Sequence, residues 1–319
     1  MSFELVGLPA LSRFTVDRRE PLRGDAERIA QLWPKARVVE VDPWGRALVA
    51  ERGTRLVDRP ATEFGDGPPP DAVLLGEQDG VAFWAVPSAG DETDVAAPPG
   101  RTASWTPPEL TDRPQWLDLR TTGALLDDTG AGLFTTAVAL FQWHRTAKFC
   151  GLCGGTTEPV KSGWARVCSD CGREEYPRTD AAVICLVHDG ADRVLLARGE
   201  GWPEGRYSVL AGFVEAGESL ESCVAREVEE EVGVRVGAIH YLGSQPWPFP
   251  RSLMVGFEAV ADPAEPLRPA DGEIAQAKWV DRADVRRALA DPGGIPDLLL
   301  PPNSSIAYRM LTSWAAATA

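Results

Sequence analysis

The run from Gly212 to Val234 constrains the fold of this chain more than any other stretch. It reads Gly-Phe-Val-Glu-Ala-Gly-Glu-Ser-Leu-Glu-Ser-Cys-Val-Ala-Arg-Glu-Val-Glu-Glu-Glu-Val-Gly-Val, which is G-x5-E-x7-R-E-U-x-E-E-x-G-U with U an aliphatic residue. At average composition, so many specified positions coincide in a chain of 319 residues with a probability on the order of 10⁻⁷. Leu220, Val224 and Val228 recur every fourth residue and share one helical face, and Ser219 precedes them as an N-cap. The pattern therefore predicts a helix over about 219–232. Gly212 and Gly217 flank a tight loop that enters the helix, and Gly233 closes it as a left-handed C-cap.

On that helix Glu227, Glu230 and Glu231 stand at i, i+3 and i+4. Like charges so placed cost roughly 0.2–0.5 kcal/mol per pair. A solvated acidic face would tolerate that cost. A hard divalent cation, Mg²⁺ or Mn²⁺, offsets it, because such ions take carboxylate and phosphate oxygens. Within the full pattern the second reading is preferred. Arg226 lies beside the carboxylates and is read as an orienting residue, since a guanidinium pairs bidentately with carboxylates.

The formal net charge is −15, which argues against a chain whose main task is to hold a nucleic-acid backbone. A phosphate-bearing substrate is still compatible with it, because metal ions neutralise phosphate where basic residues are scarce. An apolar content of 44% suffices for ordinary cores, and the length allows two domains and a small third module. No apolar run has the length of a membrane span and the first residues lack the layout of a signal peptide, so a cytoplasmic protein without a membrane partner is expected. His144, His188 and His240 are scattered and are read as packing or surface residues.

Residues 1–125 alternate short apolar runs with turns. Arg37–Val41, Ala47–Ala50, Ala72–Leu75 and Val81–Val86 read as strands, the last two as a hairpin joined by Gly76–Gly80. Gly65–Asp71 and Ala96–Pro108 read as loops or a mobile connection. This mixed, mostly-β domain carries no recognisable chemistry and is assigned a scaffolding or dimerisation role. From about Gly123 to His144 the pattern turns helical, with Leu133, Phe134, Val138, Leu140 and Phe141 free to pack.

A module of residues 126–178 combines that helix with Cys150-x2-Cys153 and Cys168-x2-Cys171, with fourteen residues between the pairs and each pair followed by glycine. Two such knuckles present four thiolates to Zn²⁺ at the spacing of a zinc ribbon. A complete thiolate shell leaves no open position, so the metal is expected to be structural. Nucleic-acid binding by the ribbon is weakly supported, because Lys148, Lys161, Arg166 and Arg173 are opposed by Asp170, Glu174 and Glu175. Cys185 and Cys223 sit in apolar patterns and are assigned to the core.

Residues 179–319 read as strands at Ala181–Val187, Arg193–Ala197, Val234–Leu242, Ser252–Val260 and near Ala277–Val280, with Tyr207–Leu210 delivering the chain to Gly212. Helices follow near Arg282–Ala290 and Ser305–Thr318. A mixed sheet covered by helices is the economical architecture. Between two of these strands lies Ser244-Gln-Pro-Trp-Pro-Phe-Pro-Arg-Ser252, whose alternating prolines predict an extended, rigid loop. Trp247 and Phe249 are expected there as a pocket wall rather than as core.

The glycine-to-valine run resembles the Nudix box. Together with the four-cysteine ribbon before it and S-Q-P-W-P-F-P-x-S after it, the chain resembles the NADH pyrophosphatase, or NudC-like, branch of the Nudix superfamily. The resemblance implies a multidomain α+β protein, with a mostly-β N-terminal domain, a zinc ribbon and a C-terminal Nudix α/β/α sandwich with a mixed sheet. It also implies cleavage of the pyrophosphate of NADH or NAD⁺ to nicotinamide mononucleotide and AMP, removal of NAD caps from RNA 5′ ends, and a homodimer. Carried over by position, Glu227, Glu230 and Glu231 match catalytic and metal-binding carboxylates, Ala211 a metal-coordinating backbone carbonyl and Glu273 a further metal-site glutamate. Tyr176 and Phe213 match aromatics that stack on the dinucleotide, Gln245, Trp247, Phe249 and Ser252 belong to the signature loop, and Ala307 lies near an adenosine contact. Either Glu230 or Glu231 accepts the proton of the attacking water. The rival readings are a Nudix hydrolase of ADP-ribose or a dinucleoside polyphosphate, and a regulator that senses nucleotides without turnover.

Overall fold

Among the described residues, three sheets succeed one another along the chain. The computed structural model describes residues 2–89 and 108–317. The expected loop at Ala96–Pro108 therefore falls, but for Pro108, outside the described residues.

The N-terminal unit begins with helix α1 (Ala26–Leu32) and seven strands: β1 (Arg37–Val41), β2 (Arg46–Ala50), β3 (Arg55–Leu56), β4 (Arg59–Pro60), β5 (Val73–Gln78), β6 (Val81–Pro87) and β7 (Gln115–Asp118). They form one sheet in the order β3-β2-β1-β6-β5, with β4 beside β1 and β7 beside β2. Alternate residues face opposite layers. Val39 and Val41 join a core with Leu133, Phe134 and Val138, while Val38 joins Leu32, Trp33 and Trp84 on the other side. The hairpin of β5 and β6 turns through Asp79 and Gly80 alone, both at positive φ, and the strand runs on through Gly76. The turn is tighter than expected because two residues in the left-handed region suffice to reverse a twisted pair.

After a short α2 (Leu119–Thr122), helix α3 spans Asp128–Thr146. It starts later than the expected Gly123 because Asp127 caps it, accepting from the Gly130 N–H at 2.6 Å. Next comes the ribbon, a three-stranded sheet of β8 (Thr157–Val160), β9 (Ala165–Cys168) and β10 (Glu174–Glu175).

The C-terminal unit contains β11 (Asp180–His188), β12 (Arg193–Gly199), β13 (Leu210–Phe213), α4 (Leu220–Val232), β14 (Val236–Trp247), β15 (Ser252–Ala261), β16 (Ile274–Asp281), α5 (Arg282–Ala290) and α6 (Ile306–Ala316). Its sheet runs β14-β15-β11-β12-β16, with β13 also on β11; β11 and β15 are parallel and the other pairs antiparallel. Val183, Cys185 and Val187 pack under α4, whereas Ile184 and Leu186 pack under α5 and α6. This is the expected α/β/α sandwich with a mixed sheet, and Cys185 and Cys223 are both buried in it. Phe3, from the start of the chain, is buried in the same C-terminal core.

The proline-rich segment differs from its expected form. Ser244–Trp247 continue β14 to the end of its ladder with β15, and only residues 248–251 make a turn. Pro246 pairs with Leu253 at the outer strand of the sheet, a place where a residue without an N–H is tolerated. Trp247 and Phe249 are partly buried against the N-terminal core, ring to ring at 4.9 Å, with the Arg120 guanidinium 3.7 Å from the Phe249 ring. Rather than walling an open loop, they join the two units.

Candidate active site and zinc ribbon

Helix α4 is built as its spacing predicts. Ser219 Oγ accepts from the Ser222 N–H, Gly233 closes the helix at φ 75°, and Val224, Val228 and Val232 are fully buried. The stripe that carries these valines also carries Glu231, seven residues after Val224, so this carboxylate turns inward and is 6% exposed. Glu230 points outward, with 61% of its side chain exposed.

Arg226 gathers the acidic groups. Its guanidinium donates to Glu218 through Nε and Nη2, to Glu227 and Glu230 through Nη1 at 2.9 Å each, and to the Phe213 carbonyl through Nη2 at 3.0 Å. Glu218 is the leading glutamate of the pattern, yet sequence reasoning assigned it no role; its separation from Arg226 by a helix entry hid the contact. Hydrogen bonding by Arg226, then by the Glu215 backbone, pulls the Glu218 carboxyl down to about 2.

Glu231 behaves oppositely. Burial, then the charges of Glu227 and Glu273, pushes it up to about 8, and a hydrogen bond from the Ala211 backbone offsets this only in part. Burial likewise raises Glu227. Glu273 reaches this neighbourhood because its loop is pinned to the end of α4: Arg268 N–H donates to Val232 O at 2.8 Å and Ala270 N–H to Glu231 O at 2.9 Å. Glu231 Oε2 is buried without a hydrogen-bond partner among the described residues. An orphaned carboxylate oxygen beside two further carboxylates, all hard oxygen donors, fits a divalent cation of the Mg²⁺ class.

Gly212 explains its own place in the pattern. A Cβ there would lie 1.8 Å from Glu227 Cδ, so the carboxylate fits only over a bare Cα. Gly212→Ala is therefore expected to displace Glu227 and lower kcat by about 10²-fold or more, with the melting temperature changed little; steady-state rates beside a thermal melt would check it.

The other expected site residues are distributed as follows. Phe213 on β13 is 59% exposed and lies across β11 from Ser252, since Ala182 pairs with Phe213 and Asp180 with Ser252. Tyr176, 56% exposed, follows the ribbon; its hydroxyl donates to Glu174 and accepts from Lys161 Nζ. Gln245 is fully buried, accepting from the Leu11 N–H and donating to the Ser304 carbonyl. Ala307 is 1% exposed, inside the core under α6.

In the ribbon, the Sγ atoms of Cys150, Cys153, Cys168 and Cys171 all lie within 4.8 Å of one another, and none is in a disulfide. Four sulfur donors so gathered fit structural zinc. Three of the four neighbouring cations are occupied: Lys161 pairs with Glu174, Arg173 with Glu175, and Arg166 is buried against Thr157 and His144, while Lys148 is exposed. His144 thereby serves packing, His188 is buried beside Glu258, and His240 is exposed.

Comparison with known proteins agrees with this geometry. Residues 178–298 match the family model for the NUDIX domain, 145–176 that for the NADH pyrophosphatase zinc ribbon domain, and 32–143 that for the NADH pyrophosphatase-like rudimentary NUDIX domain. The chain is 48% identical over 321 residues to the NAD-capped RNA hydrolase NudC of Mycobacterium bovis and to that of Mycobacterium tuberculosis, covering 99% of this chain and 97% of each relative. It is 37% identical over 198 residues to the Homo sapiens NAD-capped RNA hydrolase NUDT12, covering 59% of this chain and 42% of that protein. With the box, the ribbon and a relative matched along its whole length, the chain belongs to the NADH pyrophosphatase, or NudC-like, branch of the NUDIX superfamily.

Proposed function

We propose that this protein hydrolyses the pyrophosphate of NADH and NAD⁺ to nicotinamide mononucleotide and AMP, and removes NAD caps from RNA 5′ ends. The observation that carries the reading is the buried Glu231 carboxylate, with an orphaned oxygen, set against Glu227 and Glu273 at the end of α4. Glu227, Glu230, Glu231 and Glu273, with the Ala211 carbonyl, would hold Mg²⁺ or Mn²⁺, which when bound neutralises phosphate charge and activates water. Glu231 is assigned as the acceptor of the attacking water's proton, because its Oε2 is buried with no hydrogen-bond partner among the described residues to occupy it. Arg226 fixes Glu227 and Glu230 through two bonds from one nitrogen and ties them to the β13 backbone at Phe213. Phe213 and Tyr176 offer exposed rings for base stacking, worth roughly 1–3 kcal/mol per base.

Ser252, beside Asp180 across from Phe213, completes the substrate surface. The reading also assigns Gln245, Trp247 and Phe249 of the signature loop, and Ala307 of α6, to substrate binding. The reading includes a cytoplasmic homodimer, with domains at 1–125, 126–178 and 179–319. Among the described residues no helix is long and apolar enough to cross a membrane.

The test is chromatography of products after incubation of zinc-replete protein with NADH and Mn²⁺ or Mg²⁺. Reduced nicotinamide mononucleotide and AMP are expected; intact NADH would sink the reading. Phe213→Ala is expected to raise KM about tenfold or more while kcat changes less, as loss of one stacking contact requires.

A further inference from the structure

We infer that Arg178 and Arg251, just before the starts of β11 and β15 and beside Phe213, receive the backbone phosphates of an RNA whose capped 5′ end occupies the site. This deepens the functional reading above and rests on it. A capped RNA differs from free NADH by a train of phosphodiesters that must leave the site across the protein surface. In a chain of net charge −15, the cations that meet such a train have to be local.

The ribbon supplies only Lys148, exposed and without an ion pair among the described residues. Lys161 and Glu174 are paired one to one, as are Arg173 and Glu175, and Arg166 is buried. At the start of β11 the balance is different. Arg178 Nε and Arg251 Nε both donate to Asp180, one to each carboxylate oxygen, so two guanidinium groups share a single negative charge. Neither uses its Nη nitrogens in a hydrogen bond among the described residues, and 71% of the Arg178 side chain and 35% of that of Arg251 is exposed. A guanidinium held through Nε presents its remaining N–H groups as a fork suited to phosphate.

The position is equally specific. Asp180 pairs with Ser252, and Ala182, two residues on, pairs with Phe213 on the other side of β11. Strand rise and spacing put the backbones of Asp180 and Phe213 roughly 8 Å apart, about one nucleotide from a base stacked on that ring. The Arg120 guanidinium lies over the Phe249 ring, in the turn that carries Arg251. Exposed aromatic rings with arginines beside them are the elements of a single-stranded nucleic-acid track.

The experiment compares wild type with the Arg178→Gln/Arg251→Gln double variant on NADH and on a short NAD-capped RNA, across a series of salt concentrations. With the RNA, kcat/KM of the variant is expected to fall about tenfold at low salt, and its log–log salt slope to become shallower by about 1.4 for two lost single-strand contacts. On NADH it should stay within about twofold of wild type. The single Arg178→Gln, at the more exposed position, should show about half the slope change, and it serves if the double variant folds poorly. Unchanged RNA kinetics, or equal losses on both substrates, would overturn the inference and leave the functional reading standing. Wild type that cleaves NADH but not capped RNA would overturn the inference together with the cap-removal half of the functional reading, leaving dinucleotide hydrolysis standing, whereas wild type that cleaves neither would remove the whole functional reading and the inference with it.

Discussion

Glu231→Gln is expected to lower kcat by about 10³-fold, the scale of losing a proton acceptor, while making the protein free of divalent metal more stable at pH 8. The two effects share one cause. In the folded chain burial and the charges of Glu227 and Glu273 raise this carboxyl from its ordinary 4.5 to about 8. A group whose folded value is raised contributes stability that is fully present below pH 4.5 and is lost as pH climbs through about 8, because the unfolded chain releases the proton first. At about 1.4 kcal/mol per unit, the loss over that window is on the order of 5 kcal/mol at most. Urea titrations of zinc-loaded, Mg²⁺-free protein between pH 5 and 8 would measure it. Wild type should weaken across the window and Glu231→Gln should stay nearly level. A variant that tracks wild type at every pH would show that Glu231 is not the strained carboxylate.

Loss of zinc is the second large effect. Stripping the metal, or replacing Cys168 by Ser, is expected to add an unfolding transition at least about 5–10 °C below that of the remaining protein. In free peptides such zinc sites contribute on the order of 10 kcal/mol to folding, and a ribbon this small has no core to stand in for them. The consequence reaches beyond the ribbon, because its turn is wedged into the N-terminal sheet. Trp164 Nε1 donates to the Leu74 carbonyl at 2.6 Å, and a Cβ on Gly163 would strike Val73 Cγ1 at 2.3 Å. His144 of α3 meets the Gly163 carbonyl at 2.8 Å. One zinc per chain by metal analysis, lost in Cys168→Ser as the added low-temperature transition appears, is the expected result. A variant that melts as wild type does would refute a structural metal.

What could be read from the chain and what could not divide along the range of the interaction. The helix from Leu220 to Val232, its caps at Ser219 and Gly233, the four-cysteine ribbon and most strand positions were legible because each depends on residues a few places apart. Fold class followed, since a two-residue alternation in strands and a 3.6-residue period in helices leave few ways to bury both. Contacts between distant residues lay beyond that range. Glu230 and Glu231 are adjacent in sequence, and only the packing of α4 on the sheet buries one while exposing the other to Arg226. Glu273 comes to them through backbone bonds at Arg268 and Ala270, which carry no side-chain signal. The need for glycine at 212 is set by a carboxylate fifteen residues later, and Trp247 and Phe249 find their partners in a core built mostly from residues before 141. Local periodicity and spacing specified the helix, its acidic face and the stripe on which Glu231 falls; how far that carboxylate is desolvated was decided by tertiary packing, because desolvation belongs to the assembled interior and not to any stretch of chain.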